Sequence, residues 1–324
     1  MNKKKNVIVT GCCGFIGFSL SQKLLNNKDI QIIGLDTVND YYDVNLKKQR
    51  LKLLKQNKNF QFKKVDIKKY DYLEKIFNKH KIDIIYNFAA QAGVQYSIKN
   101  PKKYMDSNCT GFFNILELAR KNEVKIIFYA SSSSVYGDSK KFPVKENFDL
   151  NPKNFYGFSK KANEEMAEIY SRYYGIKTIG LRFFTVFGPW GRPDLVINKL
   201  IESYFKNRIF YLNNFGKHMR DFTYIDDVIN IILKLSKNNK VIKNYEIFNI
   251  CGSQPISLLY LVKLFKKNVG KSQIIKRVFQ KGDILKSYGS NKKLKKVLGK
   301  LKFTNFDDGF VNTLNWYKKY NKIK

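Results

Sequence analysis

Short apolar runs alternate with longer amphipathic segments over roughly the first 180 residues of the chain. Several of the runs are apolar at nearly every position, which is typical of strands buried on both faces. Six runs are predicted to be strands: residues 6–10, 30–35, 60–65, 82–88, 125–130 and 177–183. Helical spacing is clearest over residues 104–121 and 158–174. This alternation predicts right-handed crossovers and a parallel sheet of the α/β class.

The pattern changes after residue 184, where helices are predicted near 195–206 and 226–237 with short strands between them. No internal repeat and no Pro- or Gly-rich linker separates the two regions. We therefore expect two parts, residues 1–182 and a smaller α/β part at 183–324, that fold against each other. The boundary is approximate, because the chain can cross back.

Glycines mark the turn after the first predicted strand. Gly11, Gly14 and Gly17 give G-x-x-G-x-x-G, a spacing variant of the fingerprint in which a turn approaches a pyrophosphate at a helix N-terminus. Asp36 ends the second strand, where a carboxylate accepts from a ribose 2′-hydroxyl and repels a 2′-phosphate, which favours NAD over NADP. Asp66 ends the third strand and suits the adenine amino group, with a plain turn-forming Asp as the alternative. These features predict a Rossmann-type doubly wound parallel sheet.

A candidate catalytic group follows the fifth strand, which ends in four serines at residues 131–134. Tyr156 and Lys160 then lie four residues apart, on one face of a helix. A lysine ammonium stabilises a phenolate and lowers the pKa of the phenol, and a serine hydroxyl can hold the same substrate hydroxyl. Tyr-x-x-x-Lys alone is common in a chain rich in both residues, so the prediction depends on its position after a nucleotide-binding half.

Composition narrows the function class. The 324 residues hold 61 Lys and Arg against 26 Asp and Glu, a formal net charge of +35. This charge favours polyanions, but the lysines recur along the whole chain mixed with Asn and Ile, as on solvated faces, and no nucleic-acid-binding motif accompanies them. We therefore expect no nucleic-acid partner. No apolar stretch approaches the roughly 18 residues of a membrane helix, so we expect no membrane insertion and a cytoplasmic protein.

The four cysteines and two histidines argue against a disulfide framework and against a zinc site, and no metal is expected. Cys12 and Cys13 lie inside the glycine-rich turn, where small residues are needed. A steric role is therefore favoured over a redox role for this pair.

With these motifs, the chain resembles the extended short-chain dehydrogenase/reductase family of NAD-dependent sugar epimerases and dehydratases, over essentially its whole length. The resemblance is strongest to the bacterial UDP-glucuronate 4-epimerases. It is carried by the four-serine run and by residues 39–47 (NDYYDVNLK), 89–94 (AAQAGV), 181–193 (LRFFTVFGPWGRP) and 220–227 (RDFTYIDD). Together these motifs are far more specific than the glycines.

The resemblance implies a role for each matching residue. Tyr156 is expected to be the base, Lys160 its electrostatic partner and nicotinamide-ribose ligand, and Ser132 the catalytic hydroxyl. The cofactor residues it implies are Gly11, Gly14, Phe15, Ile16, Gly17, Asp36, Asp66, Ile67, Ala89, Ala90, Tyr156, Lys160 and Phe183. The substrate residues it implies are Gln91, Ser132, Ser133, Ser134, Tyr156, Thr185, Arg192 and Arg220. Thr185 and Arg192 resemble sugar and carboxylate contacts and Arg220 a diphosphate contact, for which a planar guanidinium is suited.

The implied reaction is the NAD-dependent 4-epimerisation of UDP-glucuronate to UDP-galacturonate for surface polysaccharide precursors. Tyr156 takes the C4-hydroxyl proton while hydride leaves for NAD. The 4-keto sugar turns over and receives the hydride on its other face, so NAD is recycled and stays tightly bound. The keto intermediate is a β-keto acid, and an epimerase must hold its carboxylate so that carbon dioxide is retained.

Other activities of the same family remain open to different degrees. Sugar 4,6-dehydratases have Asp-Glu where Ser133 and Ser134 stand, and the decarboxylases have Glu at the position of Ser134, so both readings are disfavoured. UDP-glucose 4-epimerase is the runner-up, although that group often has Asn where Thr185 stands. Gln95 stands where glucuronate epimerases typically have Arg, which favours the runner-up.

A second departure is Lys281, where the family usually has Pro. A non-catalytic NAD-sensing protein on the same fold is a remote alternative, because such proteins typically lose the Tyr, Lys or Ser that are intact here. A homodimer formed through the helices at 104–121 and 158–174 is a further expectation from the resemblance. The apolar faces of these helices could equally pack only on the sheet.

Overall fold

The computed structural model describes residues 4–279 and 284–323, so Lys281 lies outside the described part. The strands are β1 Lys5–Thr10, β2 Ile30–Asp36, β3 Phe60–Lys64, β4 Ile84–Asn87, β5 Ile126–Ser132, β6 Lys177–Phe183, β7 Thr185–Phe187, β8 Phe210–Asn213, β9 Met219–Tyr224, β10 Tyr245–Ile250, β11 Pro255–Ser257, β12 Ile274–Arg277 and β13 Lys286–Ser287. The helices are α1 Phe15–Leu24, α2 Val44–Lys55, α3 Tyr70–Lys79, α4 Val94–Lys99, α5 Pro101–Tyr104, α6 Gly111–Lys121, α7 Phe155–Tyr174, α8 Val196–Phe205, α9 Ile225–Lys237, α10 Leu258–Asn268, α11 Lys292–Leu298 and α12 Phe306–Tyr320.

Seven parallel strands form the main sheet in the order β10-β6-β5-β4-β1-β2-β3. Strands β1 to β6 follow the Rossmann order. The direction in which successive strands are added to the sheet reverses between β1 and β4. The fold class and the six predicted strands are confirmed. The seventh strand, β10, was not predicted: it comes from the C-terminal region and pairs with β6, so the chain crosses back into the first sheet after residue 183.

Both faces of this sheet are covered, which explains the continuous apolar runs. In β1, Val7 and Val9 pack into the core beneath α1 and α9, while Ile8 packs into the core beneath α3, α6 and α7. A strand buried on both faces has no polar side to expose, so alternation disappears from its sequence.

The smaller region has its own core and two smaller sheets. Strands β7, β11 and β13 each pair with β9, and β8 pairs with β12. The third core lies among α8, α10 and α12, around Leu200, Phe265 and Phe310. Within the part of the chain that the structure describes, no helix is long and apolar enough to span a membrane.

The helix predicted over 104–121 is interrupted. A π-helical turn at Met105–Thr110 joins α5 to α6. Its extra residue per turn sets Asn108 against the loop after β4 and against α7, where it is hydrogen-bonded to both. Such turns are frequent at functional sites.

Candidate active site

A cavity of about 460 Å³ lies at the carboxyl ends of the main-sheet strands, where the progression of strand order reverses. Ligands of open α/β sheets bind at this point. All of the residues that the sequence assigned to cofactor or substrate line this one cavity. They are Gly11, Gly14, Phe15, Ile16, Gly17, Asp36, Asp66, Ile67, Ala89, Ala90, Gln91, Ser132, Ser133, Ser134, Tyr156, Lys160, Phe183, Thr185, Arg192 and Arg220.

The glycine turn leaves room for a backbone and for nothing larger. Gly11 has φ +69°, and a Cβ there would lie 2.8 Å from the backbone nitrogen of Ala89. A Cβ on Gly17 would lie 2.2 Å from the carbonyl oxygen of Gly11, so α1 packs on the turn because residue 17 has no side chain. At the start of α1, Gly14 provides no side-chain cap, and the N–H groups of the first turn are left to face an anion. These features fit a dinucleotide pyrophosphate.

Asp36 is held by the turn that it faces. Its Oδ2 accepts from the backbone N–H of Cys13 at 2.9 Å, and its Oδ1 accepts from that of Val38 at 2.7 Å. Burial raises the pKa of the carboxyl, while these two N–H groups and the charges of Lys47 and Arg50 oppose that rise. Each oxygen of a carboxylate can accept a further bond, so Asp36 can still receive ribose hydroxyls.

Asp66 forms a turn and also lines the cavity. Its Oδ1 accepts from the N–H of Lys68 at 3.0 Å, which is the turn-forming bond that the sequence left open. It also lines the cavity beside Ile67, where the adenine amino group was expected.

The helix α7 sets the spacing of the candidate catalytic pair. Asn154 caps its N-terminus by accepting from the N–H of Gly157 at 2.9 Å, so Tyr156 lies in the first turn and Lys160 one turn later. Lys160 is buried, and its Nζ donates to the carbonyl of Ala130 at 2.9 Å. Loss of solvent lowers the pKa of Lys160 to about 8.

Three influences act on the phenol of Tyr156. Burial raises its pKa, while a hydrogen bond with Ser132 and the positive charge of Arg192 lower it. Burial is the largest of the three, so the pKa of Tyr156 lies above its ordinary value, and the serine and the arginine reduce that rise. The sequence assigns the electrostatic role to Lys160, whose Nζ donates to the carbonyl of Ala130, whereas the positive charge that lowers the pKa of Tyr156 in the structure is that of Arg192.

Ser131 and Ser132, in the run of four serines, have different hydrogen-bond partners. Ser132 accepts from the backbone N–H of Ser134 at 3.2 Å, which fixes its hydroxyl near Tyr156. Ser131 donates to Glu164 at 2.5 Å, and Glu164 forms a buried ion pair with Arg182 at 2.7 Å. Through that pair the end of β5, the helix α7 and the strand β6 are tied together.

Arg192, in the cavity wall, is paired with a carboxylate. Its Nε and one terminal nitrogen donate to Asp194 at 2.9 and 2.5 Å in a two-pronged ion pair. A guanidinium has five N–H donors, so Arg192 can hold Asp194 and still donate into the cavity. Thr185 begins β7 on the same wall, and Arg220 lies on the neighbouring strand β9, which pairs with β7.

Asn108 is a site residue that the sequence analysis missed. Its side chain accepts from the N–H of Gln91 at 2.8 Å, donates to the carbonyl of Gln91 at 3.0 Å and donates to Ser159 at 2.9 Å. It thereby joins the substrate-side loop after β4 to the catalytic helix. A signal was present, because Asn108 interrupts the apolar stripe made by Tyr104 and Phe112 at four-residue spacing.

Gln95, the departure from the family pattern, lies on α4 and is exposed. Among the residues that the structure describes, those lining the cavity do not include Gln95. Gln95 itself therefore does not form part of the cavity wall.

Comparison with known proteins agrees with this geometry. Residues 7–251 match the model of the NAD dependent epimerase/dehydratase family. The chain is 39% identical to protein CapI of Staphylococcus aureus over 98% of this chain and 99% of that protein. It is 36% identical to the UDP-glucuronate 4-epimerase of Thermodesulfobacterium geofontis over 96% of each chain.

Among solved structures, the UDP-glucuronic acid 4-epimerase of Bacillus cereus in complex with UDP-glucuronic acid and NAD superimposes with a TM-score of 0.90. That match has 29% identity and covers 97% of this chain and 99% of that chain. The family match over residues 7–251 and the identities along the full length agree with the glycine turn and the Ser-Tyr-Lys group. The chain therefore belongs to the NAD dependent epimerase/dehydratase family.

Proposed function

We propose that the protein converts UDP-glucuronate to UDP-galacturonate by NAD-dependent 4-epimerisation, as an isomerase that supplies surface polysaccharide synthesis. The observation that carries this proposal is the meeting of Tyr156, Ser132 and Arg192 at one cavity beside the glycine turn. The relatives from T. geofontis and B. cereus bear the same activity in their names, and the second is in complex with NAD and this acid sugar.

Each residue has a defined task in the reaction. Tyr156, as phenolate, takes the proton of the C4 hydroxyl, and Ser132 donates to the same oxygen. When bound, NAD supplies the reversible oxidation and reduction at C4. Tyr156 returns the proton after the sugar has turned over, and Lys160 holds its positive charge beneath the site. The glycine turn with Asp36 retains the cofactor between turnovers, since it is regenerated in each one.

The carboxylate of the sugar needs residues that bind it. A 4-keto uronate is a β-keto acid, and decarboxylation proceeds when the carboxylate is free to align with the carbonyl. Arg192 and Thr185 hold the carboxylate in this proposal, because a planar guanidinium fits a carboxylate at two points. Ser133 and Ser134 line the same side of the cavity, and Arg220 serves the diphosphate.

The proposal is tested by incubating the protein with NAD and either UDP-glucuronate or UDP-glucose, followed by chromatographic separation of the 4-epimers. We expect UDP-galacturonate as the main product. Tyr156→Phe should reduce the rate about 10²–10⁴-fold, since it removes the proton acceptor. Tyr72→Phe on α3, an exposed tyrosine far from the cavity wall, is the matched control and should keep the wild-type rate.

UDP-xylose or a free 4-keto sugar as the main product would contradict the assignment. So would the absence of product from both sugars, or full activity in Tyr156→Phe.

A second candidate, UDP-glucose 4-epimerisation, is favoured by one observation. Asp194 already neutralises Arg192 in a two-pronged pair, which suits a neutral sugar better than an acid one. The same incubation decides, because a UDP-glucose 4-epimerase would form UDP-galactose faster than UDP-galacturonate.

We further infer a homodimer. Phe158, Ile169 and Tyr173 are 46%, 51% and 73% exposed along one stripe of α7, and Phe113 is 46% exposed on the neighbouring α6. Apolar side chains at this density on adjacent helices suit burial against a second copy of the chain. Sedimentation at increasing protein concentration tests this, and a monomer throughout would contradict it.

The remaining parts of the proposal concern the cell and the division of the chain. A cytoplasmic location is supported by the four cysteines, all of which are unpaired thiols. Residues 1–182 serve the cofactor and the catalytic group, and residues 183–324 serve the nucleotide sugar, apart from the strand β10 that joins the main sheet.

A further inference from the structure

A fully buried arginine stands between the two halves of the active site. Arg50 lies on α2, with 0% of its surface exposed. One terminal nitrogen donates to the carbonyl of Cys13 and to the hydroxyl of Tyr42, both at 2.8 Å. The other donates to the carbonyl of Trp190 at 2.5 Å. Burial of a charge is costly unless it is well bonded, and these three contacts compensate the guanidinium only in part, because its Nε has no hydrogen-bond partner among the described residues.

One end of this contact is the cofactor turn. Cys13 follows Gly11 by two residues, and its N–H holds the carboxylate of Asp36 while its carbonyl accepts from Arg50. A single residue thus connects Arg50 to the group expected to bind ribose. The positive charge of Arg50 also opposes protonation of Asp36.

The other end is the loop that carries Arg192. Trp190 has φ +62°, a left-handed conformation that is rare for a bulky residue and persists where the surroundings enforce it. Its ring packs against Phe18, Trp316 and Tyr320 at centroid distances of 5.3–5.5 Å. Its carbonyl is held by Arg50.

The same loop is held again two residues later, where the carbonyl of Arg192 accepts from the buried side chain of Asn198 at 2.8 Å. The backbone on either side of Gly191 is therefore clamped, by Arg50 from the cofactor half and by Asn198 on α8 from the substrate half. These two clamps fix the backbone from which the Arg192 side chain projects, and the ion pair with Asp194 holds its guanidinium.

We propose that Arg50 is a positioning residue for substrate specificity: it fixes the loop of Trp190 against the cofactor turn and thereby aims Arg192 at the carboxylate of the sugar. This inference rests on the proposed function. Arg50 touches neither sugar nor the reacting atoms, and it acts through the carbonyl of Trp190. Its contact with Cys13 also links order in the cofactor turn to order in the substrate loop.

Arg50→Lys tests the proposal, because lysine keeps the charge but its single ammonium cannot span the acceptors that Arg50 reaches with two separate terminal nitrogens. We expect kcat/KM for UDP-glucuronate to fall about 10–100-fold, mainly through KM, since a small displacement of a binding group has effects of this size. UDP-glucose lacks the carboxylate, so its kcat/KM should fall much less, and the preference between the two sugars should shrink by about tenfold. A merely structural role would lower both sugars equally.

Two further measurements distinguish a positioning role of Arg50 from a purely structural one. The pH at which kcat/KM rises should move upward in Arg50→Lys, because a displaced Arg192 no longer lowers the pKa of Tyr156. Calorimetry on NAD-loaded protein should show weaker binding of UDP-glucuronate with little change for UDP. Arg208→Lys, at an exposed arginine, is the matched control and should leave every readout unchanged.

If a buried lysine prevents folding, Arg50→Gln replaces it, as a neutral side chain that retains one donor group. Wild-type protein that epimerises neither sugar would refute the proposed function. An active wild type whose sugar preference and pH profile are unchanged in the folded Arg50 variant would refute the positioning role of Arg50.

Discussion

Lys160 lies at a buried position, where loss of solvent disfavours the charged form of its amino group. Its pKa falls to about 8 from an ordinary value of 10.5, because the ammonium loses solvent on burial. The ammonium retains a hydrogen bond to the carbonyl of Ala130. The folded protein therefore binds a proton at Lys160 less tightly than the unfolded chain does. Below pH 8 the proton is present in both states, and the folded state bears the full penalty.

Replacing this residue should therefore stabilise the fold while harming function. At pH 7 and without cofactor, we expect Lys160→Met to raise the free energy of unfolding by about 2–3 kcal/mol, after allowance for the lost hydrogen bond. The gain should shrink between pH 8 and pH 10.5, as the unfolded wild type loses the proton that it alone retains. Epimerisation should be lost. Denaturant unfolding across this pH range measures the effect.

Lys161→Met is the adjacent control. Lys161 forms an exposed ion pair with Glu165 at 3.8 Å, so its replacement should change stability by less than about 0.5 kcal/mol. A Lys160→Met variant that is less stable than wild type at pH 7 would mean that the ammonium is better solvated in the folded protein than its burial indicates.

Among the elements, α1 depends most on the absence of a side chain. The helix begins directly after the glycine turn, and its residue Gly17 lies against the carbonyl of Gly11. The first-turn N–H groups can face a pyrophosphate only while this contact is kept. Stability and cofactor binding are therefore coupled at one position.

Gly17→Ala should weaken both properties. A methyl group 2.2 Å from the Gly11 oxygen forces α1 away from the turn, at a cost of about 1–3 kcal/mol. Less NAD should remain with the purified protein, as measured by chromatography of the nucleotide released on denaturation. Gly175→Ala is the control: Gly175 ends α7 with φ +66° but has nothing within 4 Å, so it should lose about 1–2 kcal/mol and keep its NAD. Equal NAD retention in both variants would contradict the coupling.

The elements also show what a sequence can and cannot reveal. Several strands of the main sheet, such as β1 and β5, were predictable because burial on both faces makes their sequences largely apolar. The strand β10 was missed because its six residues, 245–250, include the polar Glu246 and Asn249, and only the folded chain brings this segment beside β6. The helix over 104–121 was predicted without its π-helical turn, since one extra residue hardly alters an apolar stripe.

At the candidate site, glycines and the Tyr-x-x-x-Lys spacing were readable because their chemistry is local. Arg50 and Asn108 were not identified, since each contacts residues distant along the chain. Asp194 was not identified either, because proximity in sequence to Arg192 does not by itself show an ion pair. Arg50 contacts Trp190 across 140 residues, and in a chain with 61 basic residues one buried arginine does not stand out. Fold topology, which decides such contacts, is absent from any local pattern.

For the whole molecule, the sequence leaves open whether the net charge of +35 has a function. Lysines are spread over both halves, while the cavity itself takes its cations from few residues, among them Lys47, Arg192 and Arg220. Any effect of the surface lysines on the substrate is therefore a long-range attraction. An anionic nucleotide sugar approaching such a surface is attracted over a range set by the ionic strength.

This attraction gives a test that requires no substitution. Raising the salt concentration from about 0.01 to 0.15 M shortens the screening length from about 30 to 8 Å, so kcat/KM for UDP-glucuronate should fall several-fold while kcat stays nearly constant. UDP-glucose carries one negative charge less and should respond less steeply. Sucrose at matched osmolality controls for solvent effects. Equal kcat/KM at both salt concentrations would mean that the lysines serve solvation only, and that substrate capture depends on the cations within the cavity.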